Sequence, residues 1–126
     1  LADYEIREET PVVSTYREYT ILSNQAPHGG PTLAAILNIL EGYDLGSIPH
    51  NSAEYIHLVA SAMKAAFADR NPHLGDPEFV DVPVDWMVSK ARAAAAAEMT
   101  ELTGGLDMPG LTDALSQFTG GDLPTA

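Results

Sequence analysis

Four histidines, His28, His50, His57 and His73, are the residues of this 126-residue chain best suited to proton transfer or metal ligation. No two stand four apart and no H-E-x-x-H occurs, so no metal site is expected. His57 falls between apolar neighbours and reads as a partly buried imidazole satisfied by one hydrogen bond. The serines lack G-x-S-x-G, and Ser89-Lys90 lacks the S-x-x-K spacing of an activated serine. With no cysteine in the chain, thiolate nucleophiles, disulfides and cysteine-ligated zinc are excluded. Asp69-Arg70 is expected to be an ion pair tying a helix end to the Gly75-Asp76-Pro77 turn. Used as a catalytic pair it would need a nucleophile or base close by, and none stands at a recognisable spacing. Gly29-Gly30, just ahead of a helix, could hold an anion on free N–H groups. Neither G-x-G-x-x-G nor a P-loop lysine follows, which favours a plain strand-to-helix turn.

The elements that would position these residues centre on residues 29–70, read as two helices joined by one tight connection. In the first, Leu33, Ile36, Leu37 and Leu40 recur at i, i+3, i+4 and i+7 with Ala34, Ala35 and Ile39 on the flanks, which predicts a helix buried on most sides. Pro31 suits its first turn, and Gly42 is expected to stop it in the left-handed region. Asn51 with Glu54 reads as a capping box for the second helix, whose inner stripe is expected to be Ile56, Val59, Ala60, Met63 and Phe67. Residues 70–72, Arg-Asn-Pro, close it. Upstream, residues 1–22 look like strands, with Tyr4, Ile6 and Glu8 on one alternation, TYREYTIL as a second run, and Pro11 between them. Residues 71–86 carry three prolines and are expected to wrap the helix pair irregularly, pinned by Leu74, Phe79, Val80, Val82 and Val84. A third helix over residues 85–102 is driven by the alanine run and anchored by Trp86, Met87, Met99 and Leu102. Residues 1–103 thus form one scaffold segment, and the Gly-, Thr-, Asp- and Pro-rich residues 104–126 read as a flexible tail with at most one short turn over residues 111–118. The fold class is α+β, mostly helical with an N-terminal strand pair.

Six basic against eighteen acidic residues, a formal charge of -12, argue against nucleic acid and anionic membrane surfaces as partners. A solvated acidic surface is the simple reading, since no D-x-D-x-D-G calcium loop is present. No apolar run approaches the roughly 20 residues that span a bilayer, and no basic-then-apolar pattern stands at Leu1, where a leader could have been lost with whatever precedes it. A first residue that is not Met, and an ending that looks cut, suggest a fragment or processed subunit.

Three stretches carry a resemblance: LNILEGYDL at residues 37–45, HNSAEYIHLVASAMKAAFADR at 50–70 and LGDPEFVDVPVDWMVSK at 74–90. They closely resemble the gamma-glutamyltransferase family, and residues 1–22 look like the strand pair just upstream in it. After residue 90 only the order of elements agrees. The resemblance implies an N-terminal-nucleophile hydrolase of four-layer αββα architecture, made as one precursor that cleaves itself into large and small subunits. This chain would be the C-terminal part of the large subunit, with the small subunit of the same precursor as its partner and no cofactor. The substrate would be a gamma-glutamyl amide, glutathione or a relative, whose acyl group passes through a threonine acyl-enzyme to water or an amino acid. The isolated chain is then expected to be inactive. An extracellular or periplasmic location is implied by the resemblance alone.

The family's substrate-gripping motifs are not present in these residues. Its nucleophile is the threonine that opens the small subunit, and Thr125, followed by Ala126, lies at about the right distance beyond the Gly75-Asp76-Pro77 turn to be that residue. Thr119, or a threonine beyond Ala126, is equally available. Residues 24–30, NQAPHGG, depart from the family's usual proline run, small polar pair and Gly-Gly. That departure keeps acylases of β-lactam side chains and poly-gamma-glutamate enzymes open as relatives. From another class, the rival reading is a non-catalytic helical interaction module on the same scaffold.

Overall fold

The computed structural model describes residues 3–102. The predicted tail, residues 104–126, lies outside them. The fold is mostly helical with an N-terminal antiparallel strand pair, in keeping with an αββα arrangement. In chain order the elements are β1 (Val12–Tyr16), β2 (Tyr19–Ser23), α1 (Gly30–Glu41), a 3-10 turn (Leu45–Ser47), α2 (Ala53–His73), α3 (Val84–Met87) and α4 (Lys90–Leu102).

Both strands lie after Pro11, so the expected strand at residues 4–8 is absent and TYREYTIL folds in its middle. Tyr16 pairs with Tyr19, leaving Arg17 and Glu18 as a two-residue turn, and Arg17 takes a left-handed φ of 54°. A non-glycine residue there is uncommon. Here α1 and the residue pair beyond it stabilise it: the Arg17 amide donates to Glu41 Oε1 at 2.6 Å and its guanidinium to the Tyr43 carbonyl at 2.6 Å. These partners are remote in sequence, so nothing local marked the turn.

Helix α1 is the hub, touching both strands and every other helix. Pro31 occupies its first turn. Gly30 is required where it stands: a Cβ would lie 1.8 Å from the Asn24 carbonyl oxygen. Its buried side holds Thr32, Ala34, Ala35, Asn38, Ile39 and Leu40, whereas Leu33 is exposed. Gly42 stays right-handed, at φ -70°, because its N–H reaches the Ile39 and Leu40 carbonyls in a tightened last turn.

Helix α2 corrects three expectations. Its cap is Ser52, whose Oγ accepts the Tyr55 N–H at 3.2 Å; Asn51, at φ 58°, forms the turn before it. It continues through Pro72 to His73. Its inner face is Ser61, Ala62, Ala65, Ala66 and Asp69, while Ile56, Met63 and Phe67 are 57, 43 and 39% exposed. Both stripes have the helical period, but their centres lie about 145° apart, on nearly opposite sides of the helix. The small stripe faces inward because it meets other small residues: Ala35 of α1 and Ala93 and Ala96 of α4 share one core with Ile39, Leu40 and Met99.

The third helix is broken. Ser89 Oγ donates to the Trp86 carbonyl at 2.9 Å and accepts the Arg92 N–H at 3.1 Å, closing α3 and capping α4 with one hydroxyl. Met87 and Met99 are buried as anchors. The segment between α2 and α3 is irregular, as expected, but Phe79 and Val80 are exposed and do not pin it.

Candidate functional site

Among the described residues two polar clusters lie around α1 and α4, and beside them is an open groove. In the first cluster, Asp69 of α2 and Arg92 of α4 face each other with side chains 9 and 6% exposed. Arg92 donates from Nε to Oδ2 at 2.8 Å and from Nη2 to Oδ1 at 2.6 Å, a two-pronged pair. The guanidinium also lies 5.0 Å from the Trp86 ring centre, and His73 meets Trp86 edge-on at 5.4 Å.

The expected Asp69–Arg70 pair is therefore not formed. Successive helical residues point about 100° apart, so Asp69 turns into the core while Arg70 lies over Phe67 at 5.3 Å and reaches Asn71 Oδ1 at 3.5 Å. Arg92 was the missed partner. Its signal in the sequence was a lone charge inside an alanine run.

In the second cluster Lys90, the first residue of α4, joins three elements. Its ammonium donates to the Thr15 carbonyl and Asn38 Oδ1, each at 2.6 Å, and to Glu41 Oε2 at 2.5 Å. Asn38 also accepts from Ser14 Oγ at 3.0 Å and donates to the Val88 carbonyl at 2.7 Å, so both polar atoms of a buried amide are engaged. The hydrogen bond from Lys90, followed by that from the Arg17 amide, holds the Glu41 carboxyl below its ordinary range. Ser89-Lys90 thus serves as a helix cap and a three-way tie.

The histidines stand apart. His57 is exposed rather than partly buried, because it sits off the alanine face, and its backbone carbonyl accepts from Ser61 Oγ at 2.6 Å. His50 stacks edge-on with Tyr55 at 5.2 Å. Among the described residues no group of three His, Asp or Glu could hold a metal ion, and no serine or threonine hydroxyl bonds to a histidine ring or carboxylate. Among the same residues no helix is long and apolar enough to cross a membrane. Gly29 caps α1 without side-chain help. Thr125 lies outside the described residues.

The groove, about 590 Å³, runs between residues 9–10, the loop at Gln25 and Ala26, and residues 77–84. Glu9 and Asp81 supply its charge, and Phe79, Val80, Val82 and Val84 its apolar wall. What the described residues build is a braced scaffold with its polar groups spent on holding helices together.

A family model described as Gamma-glutamyltranspeptidase matches residues 1–108. The chain is 42% identical over 103 residues to the Acylase ACY 1 proenzyme of a Pseudomonas species, covering 81% of this chain and 18% of that protein. It is 40% identical over 103 residues to the Glutathione hydrolase proenzyme of Escherichia coli, again 81% of this chain and 18% of that protein. The crystal structure of Helicobacter pylori gamma-Glutamyltranspeptidase superposes with a TM-score of 0.73 at 40% identity, covering 77% of this chain and 28% of that one. The chain therefore spans under a third of each of these proteins.

Proposed function

Because the chain belongs to the gamma-glutamyltranspeptidase family, we propose that it is the C-terminal part of the large subunit of a self-cleaving precursor. The mature protein would move a gamma-glutamyl group from glutathione or a related amide to water or an amino acid. A threonine acyl-enzyme divides that amide cleavage into two easier steps. The observation that carries this reading is the family match over residues 1–108, and the word proenzyme in the names of both relatives supports processing. The scaffold described above would then hold its partner, the small subunit of the same precursor, where the nucleophile resides. A location outside the cytoplasm rests on family resemblance.

Thr125 is our candidate for the processing nucleophile. After cleavage its α-amino group, with a reference pKa of about 7.7 to 8.0, would serve as the base for its own hydroxyl near neutral pH. A second substrate reading is favoured by the 42 and 44% identity to two acylase proenzymes: an acylase acting on β-lactam side chains.

The test is expression of the full precursor, with the small subunit's first residue read by mass spectrometry and turnover measured on a gamma-glutamyl anilide and on an acylated β-lactam nucleus. Self-cleavage before a threonine together with turnover of the anilide is the expected result. A first residue beyond Ala126 removes Thr125, preference for the β-lactam moves the substrate to the acylase reading, and an uncut, inactive precursor overturns the enzyme reading. Turnover by the 126-residue chain alone would overturn the scaffold assignment.

A further inference from the structure

The groove between residues 9–10 and 77–84 has walls that no element of the described chain uses. Phe79 is 83% exposed on it. Val80, Val82 and Val84 also line it, Val80 from the turn closed by the Asp76 carbonyl and Val84 as the first residue of α3. Its two carboxylates, Glu9 and Asp81, have no cationic partner among the described residues, while the neighbouring Arg7 and Glu78 satisfy each other in an ion pair that joins the two walls. The backbone is open as well. Among the described residues, positions 4–11 make no backbone–backbone hydrogen bond, and the amides of Asp81 and Val82 have no backbone acceptor.

We infer that this groove seats an extended polypeptide segment carrying a lysine or arginine beside an apolar residue, supplied by the rest of the same precursor. Each part of the groove matches one part of such a segment. Two carboxylates and an aromatic face together recognise a cation, the valines take the aliphatic stem and its apolar neighbour, and the backbone groups left without backbone partners can bond to a passing chain. The groove is open along its length, which suits a chain passing through it better than a small amine, since small ligands are largely enclosed by their sites. Charge points the same way: a chain with a formal charge of -12 offers a basic segment a favourable field. The source rests on the functional reading above. This chain covers 18% of the length of its Escherichia coli relative, so a family-length precursor holds many further segments tethered close by, at high effective concentration.

The experiment places photoreactive p-benzoylphenylalanine at position 79 of the full-length protein, where the exposed Phe79 tolerates replacement, and maps the crosslinked peptide by mass spectrometry. The expected partner is a segment of the same polypeptide, outside residues 1–126, with a lysine or arginine within a few residues of the link. Glu9→Lys with Asp81→Lys should lower the crosslink yield about tenfold through like-charge repulsion, and Asp81→Asn should lower it less. No crosslinked peptide, a link between two copies read from a doubled mass, a link to a different protein, or a segment without a basic residue would each overturn the inference. Self-cleavage and anilide turnover are measured on the same preparation. Their failure with the crosslink intact counts against the functional reading alone, and their success without the crosslink counts against the groove alone.

Discussion

Arg92 of α4 grips both carboxylate oxygens of Asp69 in α2, at 2.8 and 2.6 Å, inside the interface where the alanine faces of the two helices meet. The core beside it is lined largely by alanine methyl groups, which are uniform and carry little directional information. The pair supplies what alanines lack, a fixed rotation and axial register of α4 against α2. Breaking it on one side leaves a charge buried without a partner.

Asp69→Ala or Arg92→Ala in the full protein should therefore cost about 3 to 5 kcal/mol of stability. Replacing both partners by apolar residues of similar volume should recover part of that loss. Urea unfolding of the two single variants and the double variant checks this; a cycle with no coupling between the positions would contradict the pairing.

Arg70→Ala should change stability by no more than about 1 kcal/mol, because among the described residues the Arg70 side chain makes a stacking contact with Phe67 and a long bond to Asn71 and forms no ion pair. The neighbouring charges thus separate cleanly. A loss as large as that of Arg92→Ala would show that Arg70 holds something beyond the described residues.

Gly30→Ala should destabilise by more than about 2 kcal/mol, since the added methyl would meet a backbone oxygen, which cannot swing aside as a side chain can. Gly29→Ala, with nothing within 4 Å of the new methyl, is the control and should melt close to the parent.

Thr32 sits in the buried side of α1 with its hydroxyl unpartnered among the described residues. Thr32→Val keeps the shape and removes the desolvated hydroxyl, so thermal unfolding should shift upward, by about 1 kcal/mol in stability. A drop in melting temperature would reveal a hydrogen bond to that hydroxyl in the full protein.

Glu41 gives the pH dependence. Lys90 and then the Arg17 amide lower its folded-state pKa from an ordinary 4.5. A lowered folded pKa means that ionised Glu41 stabilises the fold fully above 4.5, and that the contribution is lost as pH falls through the lower, folded value. The stability gap between the parent and Glu41→Gln should accordingly be constant at neutral pH and close in acid. A gap that widened on acidification would reverse the sign.

The existence and type of the long elements were legible in the residues, because their signals are local. The apolar recurrence from Leu33 to Leu40, the proline in the first turn of α1 and the alanine run of α4 each fix backbone conformation through neighbours three or four residues away. The stretches quoted from residues 37–90 also carried the family. Tertiary structure alone decided which faces turn inward and which charges pair. On α2 two stripes share one period, so periodicity could not choose between Ile56, Met63 and Phe67 and the small residues 61, 62, 65, 66 and 69; the choice follows from close approach of alanine faces on α1 and α4. Likewise the turn at Arg17 depends on Glu41 and Tyr43, twenty-four and twenty-six residues away, and Asp69 finds Arg92 twenty-three residues on. Such partners meet only when helices pack, and no local propensity encodes that meeting.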